Sequence, residues 1–197
     1  MSELSQLLEE IRACRYCEAF LPLGPRPVLA AATESRIVLA GQAPGTKVHA
    51  TGVPWNDPSG DRLRDWLDMD RDFFYQEQHL AIIPMGFCYP GKGERGDLPP
   101  RPECAELWQE KLLALLPNVK LTLAIGQYAI KAYLGKKRKK TLTETVRHWY
   151  EYLDDGVIPL VHPSPRNIMW RRRNPWFEAE VVPQIRQKVW EVLGEDL

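Results

Sequence analysis

Four short apolar runs punctuate the chain, at residues 36–41, 80–85, 121–126 and 157–162. Each is about one strand long and nearly continuous in apolar residues, the pattern of strands buried on both faces. Segments with helical periodicity separate them. Ser59-Gly60-Asp61-Arg62-Leu63-Arg64-Asp65-Trp66-Leu67 puts Leu63, Trp66 and Leu67 on one face of a helix. Residues 101–116 predict a second helix, entered through Leu98-Pro99-Pro100-Arg101-Pro102. Residues 127–134 predict a third, and 178–193 a last one. Strands alternating with helices predict an α/β fold, a three-layer α/β/α sandwich with a central four-stranded, mainly parallel sheet. The 197 residues are enough for a single domain, 1–197, with a substantial core.

In such sheets ligands bind beyond the carboxyl ends of the strands. Two loops lie on that rim. Residues 41–60 follow the first strand and hold four glycines, three prolines, Trp55 and one carboxylate, Asp57. His162-Pro163-Ser164-Pro165-Arg166-Asn167 follows the fourth strand. Taken alone, 41–60 reads as a connection stiffened by proline and turned by glycine, with Asp57 or Ser59 capping the next helix. Trp55 then reads as a plug beneath the loop, and His162 as a structural histidine at a strand end.

Composition narrows the function classes. With 26 basic and 26 acidic side chains the formal net charge is zero, which argues against DNA binding by bulk charge. Cations concentrated on one face remain compatible with DNA, and two stretches qualify: Lys136-Lys137-Arg138-Lys139-Lys140 and Arg171-Arg172-Arg173, the latter near Trp170 and Trp176. No apolar run reaches eighteen residues, so no transmembrane helix is expected. The polar, acidic start, Met1-Ser2-Glu3-Leu4-Ser5, lacks a signal-peptide pattern, and a cytoplasmic location is expected. The four cysteines, Cys14-Arg15-Tyr16-Cys17, Cys88 and Cys104, are then unlike a disulfide set. A Cys-x-x-Cys pair directs two thiolates at one metal or cluster; alone it fits zinc, a redox motif or plain thiols.

Taken together these features resemble a known family. Gly41-Gln42-Ala43-Pro44-Gly45 after the first strand and His162-Pro163-Ser164 after the last are similar to the two signature motifs of the uracil-DNA glycosylase superfamily. Thr51-Gly52-Val53-Pro54-Trp55 resembles the Thr-Gly-x-Pro-Phe segment of its bacterial and archaeal iron–sulfur branches, and the four cysteines resemble their cluster ligands. The likeness runs in order from about residue 7 to residue 193. It implies a 4Fe–4S cluster on Cys14, Cys17, Cys88 and Cys104, pinning the N-terminal helix to residues 91–102, with zinc as the alternative. It also implies a monofunctional glycosylase that removes uracil or another deaminated base from DNA in base excision repair, acting as a monomer. No lysine is placed by a motif as a Schiff-base nucleophile. The alternative is a non-catalytic module on the same fold that binds lesions; a more distant one is a metalloprotein whose cysteines are its main function.

Breaking the bond from a base to deoxyribose leaves an oxocarbenium-like sugar and an anionic base. It calls for donors toward the base oxygen, a carboxylate near the sugar and an aromatic face for the flipped base. The resemblance assigns His162 and the backbone N–H groups around Gln42 and Ala43 to the first role, Asp57 to the second and Trp55 to the third. Ser164, Arg166, Asn167, Arg171, Arg172 and Arg173 become the expected DNA contacts, with Arg166, Asn167, Ile168 or Met169 entering the space the base leaves. The chain departs from the family at three places. Gln42 stands where a glutamate is usual, Thr46-Lys47-Val48-His49 lacks the acids of one branch, and Ile83-Pro84-Met85-Gly86-Phe87-Cys88 lacks the uracil-reading asparagine. The preferred base, uracil, hypoxanthine or xanthine, is therefore open.

Overall fold

The computed structural model describes residues 2–94 and 96–194. Its centre is a four-stranded sheet of β1 (Ile37–Ala40), β2 (Leu80–Ile82), β5 (Leu121–Ile125) and β6 (Val157–Leu160), in the order β2-β1-β5-β6 with every pairing parallel. These are the four apolar runs, each trimmed at its ends. All four residues of β1 and all five of β5, the two inner strands, are buried. The edge position of β6 explains how it tolerates Pro159. The carbonyls of Gly156 and Leu160 face β5, accepting from Thr122 and Gly126. Pro159, out of phase with them, turns its missing N–H toward the open edge.

Ten α-helical segments accompany the sheet among the described residues: α1 (Glu3–Arg12), α2 (Thr46–Thr51), α3 (Pro58–Leu67), α4 (Arg71–Phe74), α5 (Pro102–Cys104), α6 (Glu110–Ala114), α7 (Gln127–Leu134), α8 (Leu142–Arg147), α9 (Ile168–Arg173) and α10 (Val182–Leu193). The apolar stripe expected of residues 59–67 is buried, with Leu63, Trp66 and Leu67 facing the core in α3. One apolar core runs from Leu4, Leu7, Leu8 and Ile11 of α1 through the strands to Ile185, Val189 and Leu193 of α10.

Three expectations change in detail. The helix expected at 101–116 is α5, a π-helical turn at Ala105–Gln109, and α6. The helix expected at 178–193 opens with a π-helical turn, Phe177–Val181, before α10. Pro183 sits at the start of α10 and has no N–H to give the preceding turn, which accounts for the shift in hydrogen-bond register there. The connection 41–60 is not all loop: it contains α2, closed by Gly52 at φ 72°. A glycine in the left-handed region is a common helix stop, and Gly52 was the legible sign of one. The 91–102 connection carries a two-stranded hairpin, β3 (Lys92–Gly93) with β4 (Gly96–Asp97). Among the described residues no helix is long and apolar enough to cross a membrane.

Candidate active site and cysteine centre

A cleft of about 840 Å³ opens at the carboxyl ends of the strands. Gln42, Ala43, Trp55 and Asp57 line it from the connection after β1; His162, Ser164, Arg166 and Asn167 line it from the connection after β6. The two rim loops thus meet, because β1 and β6 flank β5 and run in the same direction.

Asp57 is the N-cap of α3, and its Oδ1 accepts from the Gly60 N–H at 2.8 Å. The capping role is therefore real, and it occupies one oxygen. Among the described residues Oδ2 takes no hydrogen bond. Trp55 is held at φ 55°, a region that costs a residue with a Cβ of order 1–3 kcal/mol. Its surroundings over-determine that backbone. The buried Arg64 donates from Nη1 to the Trp55 carbonyl at 3.3 Å, and Tyr75 Oη donates to the Pro54 carbonyl at 2.8 Å. Two glycines make room: a Cβ on Gly41 would stand 3.0 Å from Trp55 Cζ2, and a Cβ on Gly60 would overlap the Trp55 carbonyl.

His162 is half-buried, and its ring lies against Trp55 with centroids 5.6 Å apart and planes at 31°. Burial holds its pKa below the ordinary imidazole value, while the negative charge of Asp57 pulls the other way. The Ser164 N–H donates to His162 Nδ1 at 3.2 Å. A nitrogen that accepts cannot carry the proton, so the neutral ring is assigned the Nε2–H tautomer. Asn167 Nδ2 donates to the His162 carbonyl at 2.8 Å, and Arg171 Nη1 donates to the Ser164 carbonyl at 3.2 Å. Arg171 is buried and also pairs with Glu178, so its charge is spent inside the chain; Arg172 and Arg173 are exposed. The amides of Gln42 and Ala43 donate to no backbone carbonyl among the described residues. The Gln42 side chain donates to the Leu98 carbonyl at 3.0 Å, tying the cleft to the hairpin segment.

Sequence reasoning missed several lining residues. Gln127 and Tyr128 begin α7, Asp97 ends β4, and Thr143 and Trp170 come from α8 and α9. The signal for Gln127 and Tyr128 was available, since they follow β5 on the same rim as the two loops. Asn167 and Gln42 have amides engaged within the chain, whereas the exposed Gln127 side chain makes no hydrogen bond among the described residues.

The four cysteines are unpaired and all line one small cavity, bounded by Ile11 of α1, Phe87 and Trp108. The Phe87 N–H donates to Cys104 Sγ at 3.5 Å. The Arg26 backbone beside Cys88 and the Arg101 guanidinium beside Cys17 favour the charged forms of those thiols. Burial nevertheless pushes the Cys88 and Cys104 thiols up to about 11. Among the described residues no three His, Cys, Asp or Glu side chains close on a single metal ion.

The cleft brings Asp57 and His162 together from the rim loops after β1 and β6 of a parallel sheet, beside a tryptophan in a strained turn and with Asp97 of β4 also on its lining. A family model described as the uracil DNA glycosylase superfamily matches residues 28–186, a span that contains the whole cleft. The chain belongs to the uracil DNA glycosylase superfamily.

Proposed function

We propose that the protein is a monofunctional DNA glycosylase that hydrolyses the bond between a deaminated base and deoxyribose. The observation that carries this reading is the meeting of Asp57, Trp55 and His162 in one cleft. In the reaction the C1′–N bond breaks and its electron pair passes to the base. His162, neutral and protonated on Nε2, donates a hydrogen bond to the base oxygen where charge develops. A neutral donor suits this step because the buried ring is not already cationic. The free N–H groups of Gln42 and Ala43 support the same charge. Asp57 Oδ2 stabilises the sugar cation and orients water, which adds to C1′ and passes its proton to that carboxylate; the departing base anion takes a proton from solvent. Trp55 stacks on the extruded base.

Gln127 reads the base. Its carboxamide offers a donor and an acceptor side by side, the complement of the adjacent C=O and N–H that uracil, hypoxanthine and xanthine share. It thereby replaces the amide that residues 83–88 lack. Arg166, Asn167, Ser164, Arg172 and Arg173 contact the phosphates, and the exposed Ile168 and Met169 enter the stack vacated by the base.

A 4Fe–4S cluster on Cys14, Cys17, Cys88 and Cys104 fits the cysteine cavity. Four sulfurs share it, the Phe87 N–H donates to Cys104, and the Arg26 backbone and Arg101 guanidinium favour charge on Cys88 and Cys17, as ligand sulfurs require. A zinc ion would draw all four sulfurs to about 2.3 Å of one point. The cluster would supply iron–thiolate bonds that pin the end of α1 to residues 88–104.

The test is incubation with oligonucleotides carrying uracil, hypoxanthine or xanthine, followed by alkali. Strand breaks at one or more of the lesions support the enzyme. Binding without breaks at any lesion, in single or double strands, supports the lesion-binding module instead.

A further inference from the structure

The cleft is also lined by residues that base release leaves unused. Tyr128 lies on the first turn of α7, Leu142 and Thr143 open α8, and Trp170 belongs to α9. Trp170 is fixed in place: Nε1 donates to Thr143 Oγ1 at 2.9 Å, and its ring meets Phe177 and Trp176 edgewise at 5.5 and 5.9 Å. Tyr128 is half-buried against the core. The cleft's 840 Å³ is near the top of the roughly 300–1,000 Å³ range of sites for whole drug-sized ligands. A single flipped base leaves much of it empty.

Charge flanks this wall. Lys136, Arg138 and Lys140 lead into α8, exposed and without an ion pair among the described residues, whereas Lys137 and Lys139 are taken by Asp155 and Glu151. Arg172 and Arg173 follow Trp170 directly and are likewise exposed.

We propose that the Tyr128–Trp170 wall is a second base-stacking subsite, which takes the nucleotide next to the lesion when the DNA is single-stranded. The inference rests on the glycosylase reading for its orientation only. Aromatic walls beside cations hold single strands because every base offers a π face and every nucleotide a phosphate. In a duplex the neighbouring base stays paired, and its face is closed to the wall. The subsite therefore gives a preference for single strands.

The experiment uses an oligonucleotide with 2-aminopurine beside a tetrahydrofuran abasic analogue, single-stranded or annealed. Binding and 2-aminopurine quenching are measured for the wild type, Tyr128→Phe and Tyr128→Leu, with melting curves to confirm folding. The leucine variant keeps apolar volume and loses the aromatic face. The expected result is quenching by wild type and Tyr128→Phe, and single-strand binding weaker by roughly 5- to 150-fold in Tyr128→Leu. Duplex binding should be unchanged. Tyr128→Leu binding single strands like wild type, or weakening both substrates equally, overturns the proposal. No base is released in this assay, so its failure is distinct from failure of the glycosylase reading.

Discussion

At the scale of single residues, the proposed reaction leans most on His162. Burial lowers its pKa from the ordinary imidazole value, so the ring stays neutral to lower pH than a free imidazole does. The sign of the pH dependence follows. A donor that works as the neutral Nε2–H tautomer is present at neutral pH and above, and is lost as pH falls through the lowered pKa. Glycosylase activity should therefore hold from neutral pH to below about 6.5, then fall in acid. A rate–pH profile checks this, and His162→Ala should remove the inflection along with most of the rate. Stability has the same sign. The unfolded chain takes up a proton near the ordinary value and the folded one only below it, so stability declines as pH drops through that window. Gln127 gives a second prediction. Gln127→Ala should lower single-turnover rates on lactam bases by roughly 5- to 150-fold, the loss of one two-point contact. Gln127→Glu should be worse, because a carboxylate repels the base carbonyl. Equal rates for all three would leave Gln127 as a surface residue.

At the scale of elements, the cleft depends on how the turn before α3 is held. Trp55 adopts a left-handed backbone because Arg64 and Gly60 leave it no alternative. Gly60→Ala would drive a methyl group into the Trp55 carbonyl, so it should cost about 1–3 kcal/mol of stability, read by denaturant melts, and move the indole out of the cleft. This part of the site was only half legible. The sequence showed glycine and proline density and a carboxylate before a helix, enough to bring Asp57 and Trp55 forward. It could not show that Arg64, nine residues on, fastens Trp55, since that contact follows from the path of α3. The strands were legible because a strand buried on both faces must be apolar throughout. The hairpin β3–β4 was not, having only two residues in each strand and no apolar alternation. The opening of α7 was missed for another reason. Gln127 and Tyr128 follow the third apolar run onto the ligand rim, which was a legible signal, but that they sit between the two loops depends on β5 lying between β1 and β6.

At the scale of the whole molecule, the cysteine centre and the cleft are joined through the chain. The Arg26 backbone lies beside Cys88 and favours charge on it, and Arg26 Nη1 donates to the Ala50 carbonyl in α2 at 2.9 Å. The segment that follows Pro84 is held to the first motif by Met85 and Gly86, whose N–H groups donate to the Gly41 and Gln42 carbonyls at 2.9 Å. Loss of the proposed cluster should therefore loosen both. Cys104→Ser, prepared without oxygen, should lose iron and brown colour and melt at a lower temperature than wild type. A colourless wild type containing stoichiometric zinc would replace the cluster with the metal ion. The central claim is that Asp57, and not the cleft's other carboxylate, Asp97, serves the sugar in the proposed reaction. Asp57→Asn tests it most directly, because asparagine caps a helix about as well as aspartate and leaves α3 intact. Single-turnover base release should fall by about 100-fold or more in Asp57→Asn, in line with the typical general-base contribution, while the melting temperature stays with wild type. Base release by Asp57→Asn at the wild-type rate, from the lesion the wild type processes, would contradict the account.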